Sequence, residues 1–368
     1  MNESEKLLNL ESLRGLAAVS VAFFHFNSGS HFNNVFVTHA WLMVDFFFVL
    51  SGFVIALNYQ NRIKSIHDLL VFQKKRLLRL YPLHLIMLMV FFGIEVVKYI
   101  AEIKFNLIAN NRAFSVNDLG AFFANVTLLH NWTMTGLTFN YPSWSISAEF
   151  YTYALFGVIA LLTIKSIRSF YIASVILVLL TGMALYSRGM EASITGPWRC
   201  IHSFFIGAIT YGIYQRFNLR DRLRSSFTSL IMLSICIWLV ILLGGQKTGL
   251  VITIPFIFAA AVLSLVATKT TSRINKVLSN SWLVYLGTIS YGIYMIHAAV
   301  WWLYMQLMRF MFDFTTIVDI AGNRKVIIDN VFLADAISLS GIVLIIILAH
   351  FSYVFIETKF NKKRGKLK

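Results

Sequence analysis

Arg14 and His25 stand eleven residues apart on one apolar stretch, LESLRGLAAVSVAFFHF, residues 10–26. In a helix that spacing returns to the same face within about 20° and rises about 16 Å. A fixed cation near one membrane surface and an imidazole about half a bilayer deeper therefore share one stripe. Ionisable side chains at membrane depth are costly, and they face a bundle interior where they do chemistry or transport. An imidazole titrates near neutrality and suits proton transfer or nucleophilic attack, while a guanidinium suits phosphate or a developing oxyanion.

Other residues at similar depth extend the pattern. Asp45 enters WLMVDFFFVLSGFVIAL about two turns from the outer side, and Glu149 enters FNYPSWSISAEFYTYALF to a similar depth. In WLVYLGTISYGIYMIHAAVWW, Tyr291, Tyr294 and His297 recur every three residues as a polar stripe; His297 reads as a second site or as a satisfied core histidine. Arg76 and Arg79 are helical neighbours in FQKKRLLRLYPLH. They read as a phosphate clamp or as snorkelling residues of an interfacial helix over 66–80. Ser143 is a candidate N-cap, and Ser51-Gly52 a site of close helix packing. Depth alone thus sets His25, Asp45, Glu149 and His297 in an outer layer, with Arg14, Arg76 and Arg79 at the inner edge.

The elements that must position these residues are membrane helices. Hydrophobic residues make up 58% of the 368 and charged ones 13%, about half the share in soluble domains. Apolar runs long enough to cross the hydrocarbon fall at 10–27, 38–59, 81–101, 143–164, 170–187, 199–215, 226–243, 250–267, 282–308 and 332–356. The fold expected is an all-α bundle of about ten transmembrane helices, forming one domain over residues 1–368. Pro82 and Pro142 are expected to open spans, Pro197 to precede one and Pro255 to kink another. The net charge of +16 does not signal nucleic acid, because 23 of the 32 Lys and Arg fall in alternate loops and the tail. That bias is the positive-inside rule and predicts both termini in the cytoplasm. Cys200 and Cys236 make no disulfide framework, and no cleavable signal peptide is visible. The sequons at Asn125 and Asn131 carry little weight. The loop 309–331, with Asp313, Asp319, Arg324, Lys325 and Asp329, reads equally as a ligand-touching or a plainly solvated segment.

Five motifs, in order, give a resemblance. Arg-Gly-Leu-Ala at 14–17 with His25, VDFFFVLSGF at 44–53, KRLLRLYP at 75–82, PSWSISAE at 142–149 and ISYGIYMIH at 289–297 resemble the acyltransferase-3 family over nearly the whole chain. These are integral-membrane O-acyltransferases that modify lipopolysaccharide, exopolysaccharide, peptidoglycan and nodulation factors. The resemblance implies a multi-pass protein of the plasma (bacterial inner) membrane, acetyl-CoA as cytosolic donor, no metal, and a polysaccharide or lipid-linked glycan acceptor. It carries the family's arginine–histidine pair onto Arg14 and His25, its cytosolic arginine pair onto Arg76 and Arg79, and its acidic residue onto Glu149. Some members append an extracytoplasmic esterase-like domain; none is expected here after the tenth span.

The chemistry expected is acyl transfer. His25 acts as general base or transient acyl carrier, Asp45 or Glu149 orients its ring, and Arg14 holds donor phosphate or steadies the thioester oxygen. The rivals are a multi-span transporter, which should show repeats and paired broken helices, and a non-catalytic subunit of a polysaccharide assembly machine.

Overall fold

A computed structural model describes residues 8–26, 28–107, 111–133, 136–220, 222–223, 225–318, 324–326 and 328–365. Lys6, Arg224, Lys366 and Lys368 of the basic set, and Asp319 of the loop 309–331, lie outside the described residues. In chain order the helices are α1 (Leu8–Phe24), α2 (Val35–Thr38), α3 (Met43–Tyr59), α4 (Ile66–Phe105), α5 (Leu119–Val126), α6 (His130–Thr133), α7 (Trp144–Leu162) and α8 (Ile167–Arg188). They continue as α9 (Ala192–Arg216), α10 (Phe227–Leu243), α11 (Ile254–Ala267), α12 (Arg273–Leu278), α13 (Ser281–Thr288), α14 (Ser290–Phe310), α15 (Val331–Ser352) and α16 (Thr358–Gly365). A small antiparallel ribbon, Thr316–Val318 with Arg324–Val326, interrupts the loop before α15.

A helix occupies each of the ten apolar runs, but among the described residues six are long and apolar enough to cross a membrane, or seven if the bent pair α13–α14 counts as one. Helix α1 falls short by length, at seventeen residues. Burial separates inner helices from outer ones. The Ala40–Tyr59 span is 78% buried, whereas Ile167–Arg188 is 33% and Val331–Gly365 is 28%. On α8 the exposed residues Ile172, Val175, Ile176, Leu179 and Met183 recur at helical spacing. This is an apolar outer face of the kind lipid tails solvate.

Local chemistry sets the helix ends. Ser65 accepts from the Asp68 N–H at 3.1 Å while the Asp68 carboxylate accepts from the Ser65 hydroxyl and the Lys64 N–H, so α4 starts on a capping box. Asn330 likewise accepts from Phe332 and Leu333 N–H at the start of α15. Three prolines depart from expectation. Pro82 lies inside α4, which joins the expected interfacial segment and the third span into one helix of forty residues, about 60 Å long. Pro197 lies inside α9 rather than before it. Pro255 sits in the first turn of α11, after the 3₁₀ turn Gly249–Thr253, where its missing N–H deprives no helical bond and no kink is needed. Pro142 does open a helix, in the 3₁₀ turn Tyr141–Ser143. Ser143 precedes α7 but makes no side-chain cap; its hydroxyl meets His130 Nε2 at 3.1 Å.

Helices α3 and α9 form the tightest pairing. A Cβ added to Gly52 would fall 1.8 Å from the Phe204 carbonyl oxygen, and one on Gly207 would fall 2.0 Å from that of Val49. Reciprocal glycines let the two backbones touch, as expected for Ser51-Gly52. The same interface buries an ion pair that corrects the role expected of Asp45. Its carboxylate accepts from Arg199 Nε at 3.0 and 3.1 Å, from Arg199 Nη2 at 2.6 Å and from Ser203 Oγ at 3.1 Å. Arg199 also stacks over Trp41 and Trp144 and donates to the Trp41 carbonyl. Asp45 is thus the counter-ion of a buried arginine, not a partner of His25.

Breaking one half of such a pair strands the other charge, a loss of about 3–5 kcal/mol. Asp45→Ala is therefore expected to lower thermal stability in detergent sharply. Asp45→Asn combined with Arg199→Gln should recover part of that loss, as followed by fluorescence-detected size exclusion after heating.

Candidate active site

Arg14 sits where the helix α13–α14 breaks with a 64° bend. A break leaves backbone carbonyls without helical donors, and at membrane depth those need partners. At Gly287 they are Arg14 and the Ser290 hydroxyl, which donates to that carbonyl at 2.7 Å. Arg14 Nη2 donates to the Gly287 carbonyl at 3.0 Å and to Glu11 at 2.5 Å, and its Nε donates to Ser290 Oγ at 3.0 Å. The approach is possible because Gly15 and Gly287 face each other; a Cβ on Gly287 would lie 2.0 Å from the Glu11 carbonyl oxygen.

Beside this junction lies a cavity of about 130 Å³, lined by residues of α1, α3, α4, α7 and α14. Its polar residues are Glu11, Arg14, Ser51, Arg76, Arg79, Ser145, Glu149, Tyr153, Ser290, Tyr291 and Tyr294. Arg14, Arg76 and Arg79, expected together at one edge, are brought together. Arg76 is buried and packs over the rings of Tyr59, Phe72 and Tyr153, with Nη2 donating to the Tyr59 hydroxyl at 3.1 Å. Its Nε has no hydrogen-bond partner, and Arg79 makes no salt bridge among the described residues. Guanidinium groups gathered with donors to spare are the makings of an anion site. Between clamp and snorkelling anchors, the burial of Arg76 favours the clamp.

Glu149 joins this cavity rather than the imidazole layer. Tyr153 donates to it at 2.5 Å, and the Tyr153 hydroxyl is 2.7 Å from Ser51 Oγ. Depth counting fixes height along a helix but not the side on which a residue faces. The Glu149 carboxylate lines the same cavity as the arginines, within electrostatic reach of Arg14 and Arg79.

His25 lies one residue past the end of α1, against α14. Its Nδ1 is 2.9 Å from the Val21 carbonyl. A carbonyl only accepts, so Nδ1 carries the proton and Nε2 keeps its lone pair. The His297 ring lies 4.9 Å away and that of Tyr141 also 4.9 Å. His297 has the same tautomer, with Nδ1 at 3.3 Å from the Ile293 carbonyl, and its buried Nε2 has no partner. The structure therefore pairs His25 with His297. No carboxylate comes within ion-pair distance of His25 among the described residues, so neither Asp45 nor Glu149 orients its ring.

Tyr294 stands between the two groups. It lines the cavity, its ring is 5.8 Å from that of His297, and its hydroxyl donates to the Pro142 carbonyl at 2.9 Å and accepts from Ser145 at 2.8 Å. Neither histidine lines the cavity. Arg14 meets the first residue of α14 and His25 meets a residue seven further on, so both flank one helix as their spacing requires. Arg199, Tyr153, Ser290 and Tyr141 were not singled out in the sequence. An arginine two residues after Pro197 in an apolar run, with Asp45 the acid at matching depth, was the available signal for the first.

Basic side chains line a cavity and two imidazoles lie beyond Tyr294, inside an apolar helical bundle of the kind a membrane protein builds. A family model described as an acyltransferase domain, of the acyltransferase-3 type, matches residues 7–358. The chain belongs to that family. It is 27% identical over 394 aligned positions to proteins of Staphylococcus aureus strains COL, MSSA476 and MRSA252 that are provisionally named O-acetyltransferases. The alignment covers 96% of this chain and 57% of each relative, so the chain spans just over half their length. No solved structure matches.

Replacing Arg14 by Lys keeps the charge but loses the forked geometry that serves Gly287, Ser290 and Glu11 together. Arg14→Lys is expected to destabilise the α13–α14 junction by about 1–2 kcal/mol, seen as faster amide hydrogen exchange confined to residues 285–293.

Proposed function

We propose that the protein moves an acyl group, acetyl above all, from cytosolic acyl-CoA to a hydroxyl of a cell-surface polysaccharide or lipid-linked sugar. The observation that carries this reading is the free Nε2 of His25, held by the Val21 carbonyl beside His297 and one residue, Tyr294, away from a cavity of arginines. Membership of an acyltransferase family supports it. In this reading the ten helical segments all belong to a bundle embedded in the membrane, with both termini and the arginine cavity toward the cytosol. The positive-inside bias supports that orientation.

Arg76 and Arg79 would hold the donor phosphates, and the pantetheine arm would rise past Tyr294 toward His25. The offset of about 16 Å between Arg14 and His25 suits such an arm. His25 Nε2 takes the proton of the acceptor hydroxyl as its oxygen attacks the thioester carbon. The C–S bond breaks, and the proton returns from the imidazolium to the departing thiolate. The same nitrogen is equally placed to accept the acyl group first and pass it on. With no carboxylate at hand, His297 is the group that steadies the transient imidazolium, through the lone pair on its own Nε2. Arg14 is committed to the helix break, which leaves it a share in phosphate binding and a framework role. A transporter should carry a matching second break; α13–α14 is the one bent pair among the described residues.

Membranes containing the protein are expected to transfer labelled acetyl from acetyl-CoA to endogenous glycan or lipid-linked sugar. His25→Ala should abolish the transfer while the protein remains folded. Solute uptake without acyl transfer would instead favour the transporter. His297→Gln should lower kcat by about 10²-fold and shift the pH–rate profile, with little change in donor KM. Retained kcat in that variant would remove His297 from the chemistry.

A further inference from the structure

Residues 353–365 take no part in the mechanism above, yet they fold back onto α4, the helix that carries Arg76 and Arg79. Helix α15 runs into a π-turn, Tyr353–Glu357, and then into α16, which packs against α4. π-turns are rare and gather at functional positions, because the widened turn re-aims the side chains that follow. Here the turn ends on Glu357. One of its carboxylate oxygens, Oε1, is buried without a hydrogen-bond partner, and the group lies within electrostatic reach of Arg79 and Arg14. Arg364 follows seven residues later, on the same helical face and about 10 Å further along. It is half-buried, close enough to couple to Arg79, Arg76 and the Tyr59 hydroxyl, and makes no salt bridge among the described residues.

A fourth guanidinium thus stands beside three, and repulsion between like charges grows as water is excluded. Glu11 and Glu149 offset part of that repulsion, and the surplus positive charge suits an incoming anion. A nucleotide bearing a diphosphate and a 3′-phosphate has the charge to meet it. Of the carboxylates near these cations, Glu11 is paired with Arg14 and Glu149 with the Tyr153 hydroxyl, while Glu357 keeps one oxygen short of a hydrogen bond.

We propose that residues 353–365 form an adjustable wall of the donor site. Arg364 is a further ligand for donor phosphate, and Glu357 is an internal counter-anion that the incoming phosphates displace. The inference rests on the donor being an acyl-CoA. It makes the two charges of one short segment act on donor affinity in opposite senses, which a merely structural segment would not do.

The test is calorimetric titration of the full chain in lipid nanodiscs with CoA and with pantetheine, which lacks the phosphates. Glu357→Gln is expected to bind CoA about three- to tenfold tighter and Arg364→Gln about three- to tenfold weaker, with pantetheine binding unmoved by either. In acetyl transfer the changes should fall on donor KM rather than kcat. Weakening by both substitutions, no change from either, or equal shifts for pantetheine would overturn the proposal while the wild type still binds CoA. Wild-type protein that binds no CoA would overturn the donor reading, and this one with it.

Discussion

The contact on which the site depends is the fork of Arg14 across the break between α13 and α14. An apolar bundle tolerates an interrupted helix only where something other than water satisfies the freed backbone. Here the Arg14 guanidinium does so at Gly287 together with the Ser290 hydroxyl, and two glycines, Gly15 and Gly287, let α1 come close enough. The contact fixes α1 against α14, and with that fixed, His25 can only meet the stretch of α14 that carries His297. The charge at one end of α1 thereby sets the register of the imidazole at the other.

How much of this was legible follows from what each kind of reasoning measures. Arg14, His25, Arg76 and Arg79 stood out because charge on an apolar helix demands a reason, and their grouping follows from depth. Asp45 and Glu149 were given the wrong neighbours. Height comes from counting residues, but the facing direction comes from packing that no single helix encodes. Asp45 turns to α9 because Arg199 is there, and Glu149 turns to the arginines. Pro82 was read as a helix start because its ring usually is one; in a helix of forty residues, packing outweighs a single missing hydrogen bond.

The polar groups of the bundle sort into three kinds by how they are partnered. Asp45 and Arg199 satisfy each other and hold two helices together. The cations around the cavity are under-partnered, which is the condition for taking up an anion from outside. The two imidazoles are tied on one nitrogen and open on the other, which is the condition for passing a proton. Burial makes an open valence costly in each case. The places where the chain leaves one open are therefore the ones proposed above to meet its ligands.

The position of Tyr294 has a consequence for energy conservation in the cell. A bundle with water reaching its centre from both sides would conduct protons and drain the membrane potential, worth about 2.3 kcal/mol per charge at 100 mV. One wall of the cavity is the Tyr294 phenol, whose hydroxyl is already engaged by Pro142 and Ser145, and neither histidine lines the cavity. In the proposed reaction a slim uncharged tether would pass such a ring, so that cargo would cross while the insulation holds.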